Sequence, residues 1–354
     1  MTVSPFDHPF LSGLLGDEEV VSCFSAQADI AAMLAFETAL AAAEAEEGLI
    51  DSGAAAVIAA ALDTFEPDMD RLRAGVARDG VVVPELVRQL RVAVGEPHAS
   101  RVHFGATSQD VIDTSLAIRL KDAIDIIDAR LDAVVEQLGG LEARDGAIET
   151  MAHTRMQAAI PVSASRKIAS WREPLERHRE RLGAVRDDVC VLHFGGAVGT
   201  LEKLGDAAPA VTRRLAEKLG LRALSRARHS ERDGIVAFAS WLSLVTGSLG
   251  KMGQDVALMA QSEVGEVKLS SGGGSSAMPH KVNPVGAETL VALARFNATL
   301  VAGMHHAMVH ENERSGAAWT MEWLTLPQMV VATASALRTA DQLVSSTTFQ
   351  PHGT

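Results

Sequence analysis

Three short interruptions in an otherwise helix-forming chain carry side chains with usable chemistry. The first reads His103-Phe-Gly-Ala-Thr107-Ser108-Gln-Asp110-Val-Ile-Asp113-Thr114. Hydroxyls and carboxylates at a helix start are ordinary caps, and capping alone accounts for Thr107 and Asp110. The second reads Ala152-His153-Thr154-Arg155-Met156-Gln157-Ala-Ala-Ile-Pro161-Val-Ser163. It places His153, Arg155 and Gln157 within five positions between apolar stretches, and Ser163 can cap the helix running on toward Arg181. A solvated loop accounts for this segment equally well. The third runs from Ser270 through Gly274-Ser275-Ser276-Ala-Met278-Pro-His280-Lys281-Val-Asn283-Pro284. Glycine-serine runs are often linkers. This one leads straight into Asn283-Pro284, a helix start with Asn as cap and Pro at the first position. It lacks the Gly-Lys-Ser/Thr ending of a phosphate-binding P-loop. A glycine arm bearing two hydroxyls and a lysine, ending on a helix N-terminus, suits an anion.

The remaining elements must position these segments. Of 354 residues, 47% are hydrophobic but only 4% aromatic, with no tyrosine. Alanine and leucine carry the apolar content, which favours helix over strand and predicts an all-α fold. Phe238, Leu242, Val245, Leu249, Met252, Val256 and Met259 alternate steps of four and three with no proline between them, the pattern of a long packed helix. Leu116, Leu120, Ile124, Ile127, Leu131, Val134, Leu138 and Leu141 form a second stripe, and Leu293, Phe296, Leu300, Met304 and Met308 a third. Long helices with wide apolar faces predict a bundle that buries them by oligomerisation. The expected organisation is a small N-terminal helical domain over 1–102, a long-helix bundle over 103–341 and a frayed tail over 342–354.

A net charge of −13, with 45 acidic and 32 basic residues, argues against a nucleic-acid partner. Cys23 and Cys190 make no disulfide framework. The N-terminus has no leader pattern, and no run of about 18 apolar residues suggests a membrane span. A soluble cytoplasmic protein is expected. His306 and His310 have helical-face spacing but no accompanying Glu-bearing metal motif, so neither metal nor cofactor is expected.

Gly274-Ser-Ser-Ala-Met-Pro-His-Lys-Val-Asn-Pro284 matches every fixed position of Gly-Ser-Ser-x-Met-Pro-x-Lys-x-Asn-Pro, and so resembles the signature loop of the fumarase/aspartase superfamily. The first segment resembles that family's Thr-Ser-x-Asp region and the second its Thr-His-x-Gln region, in the same order, so the likeness spans about residues 75–325. The resemblance implies a homotetramer of long helices acting on small carboxylates, with each active site built from segments of three subunits. Ser275 aligns with the serine that exchanges the proton beside a substrate carboxylate. Lys281 and Asn283 align with carboxylate holders, Thr107 and Ser108 with anion-binding hydroxyls, and Gln157 with a substrate-contacting glutamine. His103 matches a histidine found before the first motif in the adenylosuccinate lyase and cycloisomerase branches. The catalytic candidates are Ser275, Ser276, His153 and His103; the substrate-binding candidates are Thr107, Ser108, Arg155, Gln157, Lys281 and Asn283.

One departure separates the branches. Where the lyases read Thr-His-x-Gln, this chain reads Thr154-Arg155-Met156-Gln157, and His153 lies elsewhere on the turn. The carboxymuconate cycloisomerases likewise lack that histidine. Val102 to Asp110, and Glu313-Arg314 with Trp319 and Glu322-Trp323, also resemble that branch. A lyase expelling an amine or hydroxide needs a proton delivered to a poor leaving group. A lactonising carboxylate, which ordinarily loses its proton near pH 4, attacks and leaves as the anion. The implied reaction is lactonisation of a carboxymuconate in aromatic catabolism, by the β-ketoadipate pathway, with Arg155 holding an extra carboxylate. Rival readings are a β-eliminating lyase, of the adenylosuccinate or argininosuccinate kind with His153 or His103 as acid, and a non-catalytic helical scaffold. The small C-terminal domain common after the bundle in full-length relatives is expected to be absent.

Overall fold

The computed structural model describes residues 3–274, 278 and 281–351; Ser275 and Ser276 lie outside these. Local chemistry explains the N-terminal elements. After two short turns, α1 (Ser12–Leu15) and α2 (Glu18–Ser22), the alanine-rich α3 (Ala26–Glu46) starts where the Ser25 hydroxyl accepts the Ala28 N–H at 3.1 Å. Asp51 and Asp68 cap α4 (Ser52–Asp63) and α5 (Met69–Asp79) in the same way. Gly80 ends α5 in the left-handed conformation, and Pro84 sits in the first turn of α6 (Val83–Val94).

The bundle consists of α7 (Ser108–Asp145), α8 (Ala164–Val189), α10 (Asp233–Met259), α11 (Val285–Ala307) and α12 (Ala317–Ser346), while α9 (Ala208–Leu219) packs outside it on α3. The first two stripes form its core: Ile124, Ile127, Leu131, Val134, Leu138, Phe238, Leu242 and Val245 are all fully buried. Trp319, Ala334 and Thr347 meet Asp113, Arg130 and Arg144 in turn, so α12 runs parallel to α7. The contacts of Ser165 with Glu142 and of Trp171 with Asp255 set α8 antiparallel to both α7 and α10. Gly250 and Gly253 let α11 press against α10: a Cβ on Gly253 would lie 2.5 Å from the Ala287 carbonyl oxygen. By length and composition α3, α10 and α11 could cross a membrane, although no unbroken apolar run marks them; here they pack against other helices.

The fold is all-α as expected, and two small two-stranded sheets accompany its helices. Residues around the second motif form a hairpin of β1 (Glu149–Thr154) and β2 (Gln157–Ser163), not a loop. Its turn places Arg155 and Met156 at φ 49° and 66°. Residues 342–351, expected to fray, are ordered, while 352–354 lie outside the described residues. Helix α12 continues to Ser346, and β4 (Thr347–Phe349) pairs with β3 (Val267–Leu269), burying Phe349 against Trp171. Asn283 is not a cap: Pro284 takes the N-cap position of α11, and the Asn283 backbone bridges to Gly273. His310 lies beyond the end of α11, so it shares no helical face with His306.

Candidate functional site

The candidate residues fall at two ends of the bundle, separated by the length of α7. At 38 residues and 1.5 Å per residue, that helix spans about 55 Å. Thr107 and Ser108 stand at its start, while the hairpin carrying His153, Arg155 and Gln157 follows its far end. The glycine arm with Lys281 and Asn283 leaves the bundle at that same far end. Within one chain, the first segment is therefore remote from the other two.

Around Thr107 the structure is tightly bonded. Asp110, fully buried three residues into α7, accepts the N–H of Thr107 at 2.9 Å, of Gly195 at 2.8 Å and of Gly196 at 3.0 Å. His229 Nε2 lies 2.8 Å from the same carboxylate. Arg314 spans the front: its guanidinium donates to Thr107 Oγ1 and Gln109 Oε1, each at 3.1 Å, and to the Ala197 carbonyl oxygen at 3.1 Å. One α7 turn deeper, Arg232 bridges two buried carboxylates, donating to Asp113 at 2.7 Å and to Glu322 at 2.8 Å. Trp319 Nε1–H and the Gln109 amide complete Asp113 at 2.9 and 3.0 Å. Burial alone would raise the Asp113 carboxyl, but Arg232 outweighs it and holds the group at about 2. Burial pushes neighbouring His193 down to about 4 against the pull of Asp113, so it is neutral at pH 7. The result is a buried, closely bonded support under a helix N-terminus whose N–H groups and dipole favour an anion.

His103 adjoins this support. Its backbone is left-handed at φ 63°, and Nδ1 lies 2.6 Å from Glu37 Oε1. Burial opposes its charge, yet the Glu37 and Asp110 carboxylates hold the imidazole above its ordinary value, with Arg91 opposing them.

The other end is presented to solvent. His153, Arg155 and Gln157 are exposed, and so is Lys281. His153 Nδ1 is 3.1 Å from its strand's Met151 carbonyl oxygen, and the Gln157 amide donates to the adjacent Met156 carbonyl at 3.2 Å. Asn283 Nδ2 donates to the Gly274 carbonyl at 3.4 Å. One buried carboxylate couples the hairpin to the root of the glycine arm. Glu266 accepts the Met151 N–H at 2.7 Å and Lys167 Nζ at 3.0 Å, immediately before β3. Sequence reasoning missed Glu266, His229, Arg232 and Glu37, whose partners are distant in the chain; Arg314 lay in a stretch already set apart.

Comparison with known proteins identifies the family and the fold. The sequence pattern of the lyase family matches residues 17–297. A 3-carboxy-cis,cis-muconate cycloisomerase of Pseudomonas aeruginosa is 42% identical over 323 residues, covering 90% of this chain and 70% of that protein. The crystal structure of the 3-carboxy-cis,cis-muconate lactonizing enzyme from Pseudomonas putida superposes with a TM-score of 0.90 at 38% identity, covering 96% of this chain and 77% of that one. A fumarate lyase from Mesorhizobium gives a TM-score of 0.88 at 34% identity, covering 95% and 76%.

Proposed function

This chain belongs to the lyase family of the fumarase/aspartase superfamily, and on that premise we propose that it is a cycloisomerase that closes 3-carboxy-cis,cis-muconate to a carboxymuconolactone. The observation that carries the choice of reaction is Arg155: a fixed cation stands at the turn of the exposed hairpin, where the lyases of the superfamily carry a proton-transferring histidine. Identity of 42% to a cycloisomerase over nine-tenths of the chain supports it.

In the reaction, one substrate carboxylate oxygen adds to the conjugated double bond and forms the ring C–O bond. The displaced π electrons collect on a neighbouring carboxylate as an enediolate. Lys281, Asn283 and loop amides stabilise that charge. Ser275, with Ser276 beside it, delivers a proton to the adjacent carbon and regains one from solvent, so the net reaction takes up a single proton as the carboxylate becomes the ring ester. A serine hydroxyl acts so only where its ionised form is strongly stabilised. Folding the diene into an attack geometry supplies much of the remaining acceleration. Thr107 and Ser108 bind a further carboxylate at the α7 N-terminus, with Arg314 holding Thr107 in place, while Arg155 and Gln157 bind from the hairpin.

About 55 Å of α7 separates the two ends, so the segments meet between copies, in a homotetramer whose sites are each shared by three subunits. Apolar side chains left exposed on the bundle, such as Leu244 at 52% and Leu324 at 62%, suit such packing. The enzyme works as a soluble cytoplasmic protein in aromatic catabolism. The test is to offer purified protein 3-carboxy-cis,cis-muconate and, separately, adenylosuccinate, and to follow the ultraviolet absorbance. Loss of the diene absorbance alone is expected. Turnover of adenylosuccinate alone would favour the eliminating lyase, with His153 or His103 as acid, and inertness toward both would favour a scaffold.

A further inference from the structure

Beneath the first segment lies a pair of buried carboxyl groups to which the reaction above gives no part. Glu37 and Glu44 are two turns apart on one face of α3 and are 2% and 0% exposed. Glu37 Oε1 meets His103 Nδ1 at 2.6 Å. Glu37 Oε2 and both Glu44 oxygens are buried without a hydrogen-bond partner. The loop over them is closely fitted: Gly105 has φ +71°, and a Cβ there would lie 2.2 Å from Leu204 Cδ1 and 4.0 Å from Glu44 Oε1. Glu44 thus sits directly under the backbone that joins His103 to Thr107.

We propose that Glu37 is a positioning residue for His103, fixing the ring through Nδ1, and that Glu44 holds a proton so that the carboxyl pair carries a single negative charge. Two buried carboxylates on one helix face, within reach of each other's charge, cannot both ionise cheaply. Glu37 is the one with a ring nitrogen to face, while Glu44 has no partner, so the proton is assigned to Glu44. Burial, reinforced by the charge of Glu37, drives the Glu44 carboxyl up to about 9. The charged groups acting on His103 are Glu37 from α3, Arg91 from α6 and Asp110 from α7. Removal of Glu37 leaves Arg91 less opposed. With Nδ1 committed to Glu37, Nε2 is the ring nitrogen left for substrate. The inference rests on the reading that residues 103–108 face substrate.

Hydrogen–deuterium exchange at histidine C2, read by mass spectrometry on the peptide carrying His103, tests the pair in the assembled protein. The wild-type midpoint should lie above the ordinary histidine value of about 6.5. Glu37→Gln should lower it by about one pH unit or more, while Glu44→Gln, neutral replacing neutral, leaves it in place. A wild-type midpoint below the ordinary value, an unmoved midpoint in Glu37→Gln, or a fall in Glu44→Gln overturns the proposal. The first of these holds even if a variant does not fold. A second readout is stability against pH. Glu44 is protonated when folded and ionised when unfolded above its ordinary range, so its contribution is full at low pH and declines as pH rises from about 4.5 toward 9. Glu44→Gln should remove that decline, and an unchanged slope would refute the protonated state. The pH profile of kcat/KM separates the two readings. If Glu37→Gln shifts the His103 midpoint but not the profile, the positioning stands and the catalytic assignment of the segment falls.

Discussion

The two ends of the bundle are built on opposite principles. Around Thr107, a network of buried polar groups bonds to itself, from the donors gathered on Asp110 to the Arg232 bridge between Asp113 and Glu322, with the Glu37–Glu44 pair beneath it as an exception. At the hairpin and glycine arm, His153, Arg155, Gln157 and Lys281 are exposed, and His153 and Gln157 meet backbone carbonyls within two residues of themselves. One end is a buried, internally bonded network. The other presents exposed side chains, which on the proposed function would reach the site of a neighbouring subunit. Substitutions at the first end should therefore be felt in stability, and at the second in kinetics.

The largest effect should come from Arg232→Met. It leaves Asp113 and Glu322 as buried carboxylates without a counter-charge, and should cost about 3–5 kcal/mol of apparent stability. Urea unfolding at fixed protein concentration measures it; a loss under about 1 kcal/mol would break the picture of a prebuilt end. Ser275→Ala should do the reverse, lowering kcat by about 100-fold or more with the melting temperature unchanged. A kcat within about threefold of wild type, roughly 0.7 kcal/mol, would remove the serine from proton transfer. Arg314→Lys falls between these. One ammonium cannot hold Thr107, Gln109 and the Ala197 carbonyl together, so stability should drop by about 2 kcal/mol and KM should rise. A rise in KM with no loss of stability would move Arg314 from support to direct substrate contact.

The same contrast explains what the sequence discloses. The bundle is legible because its stripes are periodic: Leu120 to Leu138 and Phe238 to Val256 recur at helical intervals and are buried. The hairpin is not, because its turn uses Arg155 and Met156 in left-handed conformations that ordinarily call for Gly or Asn. Nor is the packed end of α12, since the pairing of β4 with β3 depends on residues some eighty positions earlier. The exposed motif residues stand out as polar spacing in an apolar chain. The buried network does not, because His229 is 119 residues from Asp110 and Arg314 is 207 from Thr107. Periodicity records local geometry; a side-chain network across helices leaves no local trace.

Arg155→Met should give the smallest structural effect and thereby separates the ends most sharply. Arg155 is exposed at a hairpin turn, so its loss should change stability by no more than about 0.5 kcal/mol. If it holds a substrate carboxylate contributed to a neighbouring subunit's site, KM should rise about tenfold, the equivalent of about 1.4 kcal/mol of binding, and kcat should fall less. Steady-state kinetics on 3-carboxy-cis,cis-muconate measure both, with light scattering to confirm that the assembly is intact. A KM equal to wild type would take the arginine out of substrate binding. The lactonisation reading would then have to explain, by some other residue, how the hairpin contributes charge without the histidine its eliminating relatives use.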